Sequence, residues 1–320
     1  MQAALVTQLI GSAGVEVRDV YEPASSPHHV LIDVAYAAVG FPDLLQARGE
    51  YQRSPNLPFI PGWEVSGVVR IGAGRFRTGD RVAALPMQDG LAQTVAVHED
   101  LVFPLPAEVS IQEGAALPLN YLTMHLALTR RGRLTSGETV LVHGAAGGLG
   151  TAACQLAKAY GARVIGVVSS PDKRRIAEAA GSDEVVLVAG FRDEVRRLTG
   201  GAGVDLVVDP VGGDRFTDSL RCLASEGRVL VLGFTAGSIP SVKVNRLLLT
   251  NTAVIGVGSV EFWNRTPGYV GRQWAELLPL MQTRAIQPLI GPVFELNDAA
   301  NAIAQLEQRR ALGRILIQLP

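Results

Sequence analysis

The sequence predicts an α/β protein in two parts, a mostly β region and a doubly wound parallel sheet of six strands. Three observations carry that prediction. Short alternating strands fill the first hundred residues, and from Thr139 the rhythm changes to strand, glycine, helix, repeated. A glycine-rich loop, His143-Gly-Ala-Ala-Gly-Gly-Leu-Gly150, stands between the first strand and the first helix of that second rhythm. A chain of 320 residues accommodates two domains comfortably.

Taken in order, Val15–Val20 and Val30–Tyr36 alternate apolar and polar residues, the period of a half-buried strand. Val65–Ile71, Val82–Leu85 and Ala92–Val97 follow, with turn signals at Gly79-Asp80 and Asp89-Gly90. No helical period is expected before about residue 110. Val140–His143 then reads as a buried strand, and Gly148–Tyr160 as a helix closed by Gly161. Val164–Val168 is the next strand, after which Ser170 is expected to cap a helix with Pro171 at its first position and Gly181 at its end. Strands at Val185–Val188, Val204–Asp209 and Arg228–Leu232 alternate with helices near Asp193–Leu198 and Asp214–Leu223. A strand near Ala253–Val257 completes six. Such alternation demands right-handed crossovers and a buried parallel sheet. From Trp274 the character is mixed, with a helix at Asn297–Gln308, a final strand at Arg314–Gln318, and a Pro-containing stretch, Ile286–Val293, that leads back to the first domain.

Composition excludes several classes. With 48% hydrophobic and 18% charged residues, the chain has enough apolar material for a core and is not disordered. Lys plus Arg number 29 against 30 acids, so there is no basic surplus to hold nucleic acid. Two distant cysteines, Cys154 and Cys222, build neither a disulfide scaffold nor a four-cysteine zinc lobe, and each reads as a small buried apolar residue. The first residues, MQAALVTQLIG, carry no positive charge ahead of Arg18, so no secretory signal is expected and a cytoplasmic protein is predicted. The uncharged run Thr139–Ala157 is interrupted by glycines and reads as strand, loop and helix rather than a membrane span.

The glycine loop has the chemistry of a dinucleotide site. Small residues let the backbone approach a pyrophosphate, and the amides of the helix's first turn point at its charge. The loop is a variant of the G-x-G-x-x-G pattern, placed in the strand–helix context that the pattern needs. At the end of the second strand an NAD site usually carries an acid for the ribose 2′-hydroxyl. Here the segment is Ser169-Ser170-Pro-Asp-Lys173-Arg174-Arg175, and Asp172 is accounted for by the helix dipole. Hydroxyls and cations suit a 2′-phosphate, so NADPH is the predicted cofactor.

With these motifs in view the chain resembles the zinc-free branch of the medium-chain dehydrogenases/reductases, the quinone oxidoreductase-like proteins. The resemblance runs over essentially the whole length. It rests on Phe41-Pro-Asp-Leu-Leu with Arg48-Gly-Glu-Tyr51, Pro58-Phe-Ile-Pro-Gly-Trp-Glu64-Val-Ser-Gly67, Gly74-x-Phe76-x-x-Gly79-Asp-Arg-Val82, the glycine loop, and Asp209-Pro-Val-Gly-Gly213. It implies a GroES-like β domain carrying substrate and catalysis, residues 1–118 with 266–320, beside a Rossmann NADPH-binding domain, residues 119–265. In zinc-dependent relatives a cysteine and a histidine stand where this chain has Gly40 and Trp63. Neither residue binds zinc, and the five histidines have no ligand spacing, so no metal is expected.

Without a metal, the resemblance implies hydride transfer from NADPH to an electrophile already activated by conjugation, a quinone or, alternatively, an enone or enoyl thioester. A dinucleotide-binding regulatory module without turnover is the remaining reading. Tyr51 is the candidate hydrogen-bond donor to the developing oxyanion, and Asp43 accompanies it as a catalytic candidate. An aromatic wall without chemical duty explains Tyr51 equally well. The resemblance places the cofactor against Thr123, Ala146, Gly147, Gly148, Leu149, Ser169, Ser170, Lys173, Arg174, Val211, Gly233, Phe234, Asn245 and Arg309, with Arg310 and Arg314 as alternatives to the last. Thr123 is equally explained by a hydroxyl bond inside its own helix, and Asn245 by an ordinary turn. Many zinc-free members have Asn at the place of Gly40, which leaves the polarity of the substrate pocket open. Trp63, Phe262 and Trp263 read by default as core. An apolar strand at the edge of the nucleotide domain suggests a homodimer.

Overall fold

A computed structural model describes residues 1–52 and 55–320, and these divide into two units, Met1–Asn120 with Gly268–Pro320, and Tyr121–Pro267.

The first unit begins with an antiparallel pair, β1 (Gln2–Val6) and β2 (Val15–Asp19). Its main sheet is organised by β3 (His29–Val39), whose core side chains Val30, Ile32 and Val34 recur with the strand period of two. A seven-residue helix, α1 (Phe41–Ala47), follows directly, in a region where the sequence predicts none. It is too short to show a period and is specified by its start: Pro42 stands in its first turn, and the Asp43 carboxylate caps the Gly40 amide. β4 (Glu64–Ile71), β5 (Arg81–Ala84), β6 (Thr94–His98) and β7 (Val102–Pro104) complete the N-terminal strands, with α2 (Ile111–Gly114) after them.

α3 (Pro118–His125) begins in the first unit and, in the second, runs into a π-helical turn, Leu126–Arg131. Then come β8 (Thr139–His143), α4 (Gly148–Ala159), β9 (Arg163–Val168), α5 (Arg174–Ala179), β10 (Glu184–Leu187), α6 (Phe191–Leu198), β11 (Val204–Asp209), α7 (Phe216–Cys222) and β12 (Leu223–Val231). α8 (Asn245–Thr250), β13 (Ala253–Gly256) and α9 (Ser259–Arg265) close it. The sheet order is β10-β9-β8-β11-β12-β13 and every pair is parallel, as the alternating rhythm requires. Ser170 departs from expectation: its backbone is extended ahead of a single 3-10 turn, but its hydroxyl caps no amide and instead bonds the Asp172 carboxylate.

The chain then returns to the first unit. α10 (Tyr269–Gln282) is a fourteen-residue helix in the stretch read as mixed, with Pro279 inside it. Its Trp274 stacks on Phe103 at 4.7 Å and donates to the Pro104 carbonyl at 3.1 Å. β14 (Ile290–Glu295), α11 (Ala299–Glu307) and β15 (Arg314–Gln318) finish the chain. β15 inserts between β14 and β3, giving the order β14-β15-β3-β4-β5-β7, with β6 also on β3. No helix of the described residues is long and apolar enough to cross a membrane.

Candidate functional site

In the second unit, β8 ends at His143 and the chain turns through Gly144 at φ 63°. A Cβ at Gly150 would lie 2.0 Å from the Gly144 carbonyl oxygen and 2.7 Å from the Ala145 Cα, so no larger residue fits there. Gly147 caps α4 with extended backbone, and a Cβ there would meet only the Gly144 oxygen, at 3.4 Å. The amides of the first turn of α4 have no partner within the helix and sit at the positive end of its dipole, an anion seat made of backbone. Ala146 is buried, whereas Gly147, Gly148 and Leu149 are half-buried around this cradle.

The strand order reverses between β8 and β11, so the cradle lies at the switch point where doubly wound sheets hold ligands. Val211 abuts Gly144, its Cγ2 lying 3.5 Å from the place of a Cβ there. Phe234, 36% exposed, approaches Gly212, and Gly233 passes under the Pro210 carbonyl. The Ala236 amide donates to Val211 at 3.0 Å and ties these two loops. Ala146–Leu149, Val211, Gly233 and Phe234 are therefore brought together at the carboxyl ends of β8, β11 and β12.

Ser169, exposed, and Ser170 and Lys173, half-buried, lie beyond the carboxyl end of β9. Arg174 is turned away from a free role, since its Nη1 donates to the Val185 carbonyl at 2.6 Å. Thr123 is 7% exposed, and its hydroxyl bonds Ser259 at 3.1 Å, a partner on α9 and not in its own helix. Asn245 opens α8 and is exposed, so it is a helix residue and not a turn. Arg309 belongs to the first unit, exposed and at φ 57° after α11. Arg314, offered as its alternative, is 7% exposed and paired with Glu64, which withdraws it from phosphate binding.

Beneath the cradle is a polar cluster that sequence reasoning passed over, because His143 reads there as a packing histidine. It does pack, edge-on to Phe191 at 5.1 Å, but its Nε2 also bonds the Ser219 hydroxyl at 2.8 Å. Asp209, 1% exposed, receives the Val211 and Gly212 amides on Oδ1, both at 2.9 Å. Burial lowers the His143 pKa to about 4; the Asp209 charge opposes that fall and Arg215 adds to it. The signal available in the sequence was position: each residue stands immediately before a glycine-containing loop.

In the first unit, Asp43 is 0% exposed, and its oxygens accept from the Gly40 amide at 2.7 Å and the Gly62 amide at 2.8 Å. Burial raises its pKa to about 6 against the pull of those amides and of Arg314. Both oxygens of this catalytic candidate are thus committed to backbone. Trp63, 4% exposed, donates to Gln46 at 3.0 Å and meets the half-buried Tyr51 ring edge-on at 5.2 Å. Glu64 is 0% exposed; it accepts from the Leu119 amide at 2.7 Å and pairs with the Arg314 guanidinium, and burial still raises its pKa.

The donor set around Gly40 does not fit a zinc ion. Gly40 has no donor atom, and a Cβ there would stand 3.2 Å from Arg314 Nη2. The indole Nε1–H of Trp63 is a donor only and is already used by Gln46. Among the described residues no group of three His, Cys, Asp or Glu side chains could hold a metal.

Comparison with known proteins assigns both units to a family. Residues 26–107 match the alcohol dehydrogenase GroES-like domain and residues 148–282 the family described as zinc-binding dehydrogenase. Rat quinone oxidoreductase-like protein 2 is 36% identical over 324 aligned residues, covering 99% of this chain and 92% of its own. The crystal structure of a probable oxidoreductase from Mycobacterium abscessus superposes with a TM-score of 0.92 at 40% identity, covering 99% and 98%. The quinone oxidoreductase from Thermus thermophilus, determined alone and in complex with NADPH, gives 0.88 at 36% identity over 100% of both chains.

Proposed function

The chain belongs to the quinone oxidoreductase-like medium-chain dehydrogenases/reductases, and from that premise we propose that it is an NADPH-dependent, zinc-independent oxidoreductase that delivers hydride to quinones. The observation that carries this reading is the backbone cradle at the switch point, closed to side chains at Gly150 and open at Gly147. The reduced nicotinamide supplies the hydride when bound. The first-turn amides of α4 hold the pyrophosphate, and Ser169, Ser170 and Lys173 hold the 2′-phosphate. Thr123, Val211, Gly233, Phe234, Asn245 and Arg309 remain our candidates for the rest of the cofactor. Asp43 supports the site by fixing the Gly40 and Gly62 backbone, and we give it no proton-transfer role.

With no Lewis acid to polarise a carbonyl, the substrate must bring its own activation, as a quinone does. A second reading, an enone or enoyl thioester reductase, is favoured by one observation: Tyr51 is half-buried and held edge-on by Trp63, as an oriented hydrogen-bond donor requires. NADPH oxidation against quinones and enones, with NADH in parallel and a chelator present, tests both. Fast quinone turnover with NADPH is the expected result, and a preference for enones moves the assignment to alkenes. Tight NADPH binding without any turnover makes the chain a binding module. Lys173→Glu should weaken NADPH about tenfold while sparing NADH; equal losses overturn the 2′-phosphate assignment.

We further propose a homodimer and a cytoplasmic location. β13 is an edge of the six-stranded sheet, and close by in sequence Val244, Leu248 and Leu249 are 75%, 76% and 78% exposed, which suits pairing with a second copy. A monomer mass by light scattering overturns the dimer. The two free, buried thiols suit a reducing compartment.

A further inference from the structure

His143 and Asp209 are the last residues of neighbouring strands at the switch point, one step beyond the registered pair Val142 and Val208. Each has one atom fully accounted for and one that is buried without a protein hydrogen-bond partner, His143 Nδ1 and Asp209 Oδ2. The assignment of protons turns on Ser219. If its single hydroxyl hydrogen goes to the Arg215 carbonyl at 3.1 Å, its oxygen accepts from His143 Nε2 at 2.8 Å, which then carries the imidazole hydrogen; the other tautomer reverses both roles. In the first arrangement Nδ1 of the neutral ring is an acceptor. Asp209 Oδ2 is an acceptor as well, because Oδ1 already takes two amides. Two unpartnered buried atoms at the ends of neighbouring strands carry a desolvation cost that a water bonded to both removes.

We propose that one buried water donates a hydrogen to His143 Nδ1 and the other to Asp209 Oδ2, completing a Ser219–His143–water–Asp209 chain that fixes the two cofactor loops to each other. The loops leave these two strand ends directly: Gly144–Gly147 follows His143, and Pro210–Gly213 follows Asp209. Burial of the imidazole, which favours its neutral form, agrees with this arrangement. His143 and Asp209 are positioning residues: they act on the cofactor through the backbone they hold. That consequence rests on the NADPH reading, whereas the water itself does not.

The test has two arms on the full chain. Nitrogen-15 NMR of the histidine-labelled protein near neutral pH should show His143 uncharged, protonated at Nε2, with Nδ1 shifted as an acceptor, and a crystal structure should show one water bonded to both atoms. A doubly protonated ring, or direct contact of Nδ1 with Oδ2, overturns the proposal. In the second arm NADPH dissociation is followed by fluorescence. Asp209→Asn keeps an oxygen for the loop amides and an amide that donates to a reoriented water, so affinity should stay within about threefold, whereas Asp209→Leu should lose about tenfold to a hundredfold with quinone KM unchanged. Equal losses in both variants, or a loss in neither, overturn the positioning role. A wild-type chain that fails to bind NADPH refutes the cofactor assignment alone, because the spectroscopic arm still decides the water.

Discussion

Around the cradle of the nucleotide unit the groups offered to a ligand are backbone amides, and side chains matter there by being small. Around Tyr51 in the β unit the reverse holds: Asp43, Gln46, Trp63, Glu64 and Arg314 form a buried lattice of side chains that fixes the surrounding backbone. The first arrangement has no room for a side chain at Gly150 and meets a ligand's charge with backbone dipoles rather than with ionised side chains. The second depends on charge pairing and desolvation, so its failures should appear as lost stability before they appear as lost binding.

The largest effect expected from this contrast is on stability. Arg314→Leu leaves the Glu64 carboxylate buried without its cation and should cost about 3–5 kcal/mol in urea unfolding, with NADPH affinity of the folded fraction unchanged. A loss of affinity without a loss of stability would break the comparison. Next comes Gly150→Val, whose added carbon meets fixed backbone. It should weaken NADPH about a hundredfold, the upper range of overpacking costs of about 3 kcal/mol, while Gly147→Ala should change affinity much less. Similar titrations for the two variants would remove the cradle's steric argument.

A smaller effect separates the units by pH. The folded pKa of Asp43 is raised from 3.8 to about 6, so the folded state holds that proton more tightly than the unfolded chain. Its contribution to stability is complete below the unfolded value and is lost as pH rises from about 4 to 6, by about 3 kcal/mol at most. Asp43→Asn cannot titrate. The difference in unfolding free energy between wild type and variant should carry that slope across the window, and a flat difference contradicts the raised pKa. The smallest effect is kinetic. Tyr51→Phe should leave quinone turnover within about twofold, since solvent protonates the reduced product; a fall of about a hundredfold confined to enones would assign Tyr51 as an acid.

The same contrast explains what the sequence made legible. Backbone sites announce themselves through local composition, and the glycine loop and the six strands are contiguous patterns with a known physical use. α1 was missed because seven residues show no period and its cap, Asp43, also reaches across to Gly62. α10 was missed because Pro279 interrupts a helical pattern that tertiary packing of Trp274 restores. The pairing of Glu64 with Arg314 joins residues 250 apart, and no single-sequence pattern connects them. It reassigned Arg314 from a phosphate ligand to a structural cation. The default reading of Trp63 as core agrees with its burial, although nothing in the sequence pointed to its contact with Tyr51.

That long-range pair has a consequence for how the protein is made. Arg314 lies on β15, which sits between β14 and β3, so during translation the first unit's sheet stays incomplete until β15 has been made. Until then β3 keeps part of an open edge and Glu64 has no cation, while the nucleotide unit, contiguous from Tyr121 to Pro267, has every strand it needs. The nucleotide unit can therefore complete its sheet before the first unit does, and completion of the first unit's sheet is timed by synthesis of β15.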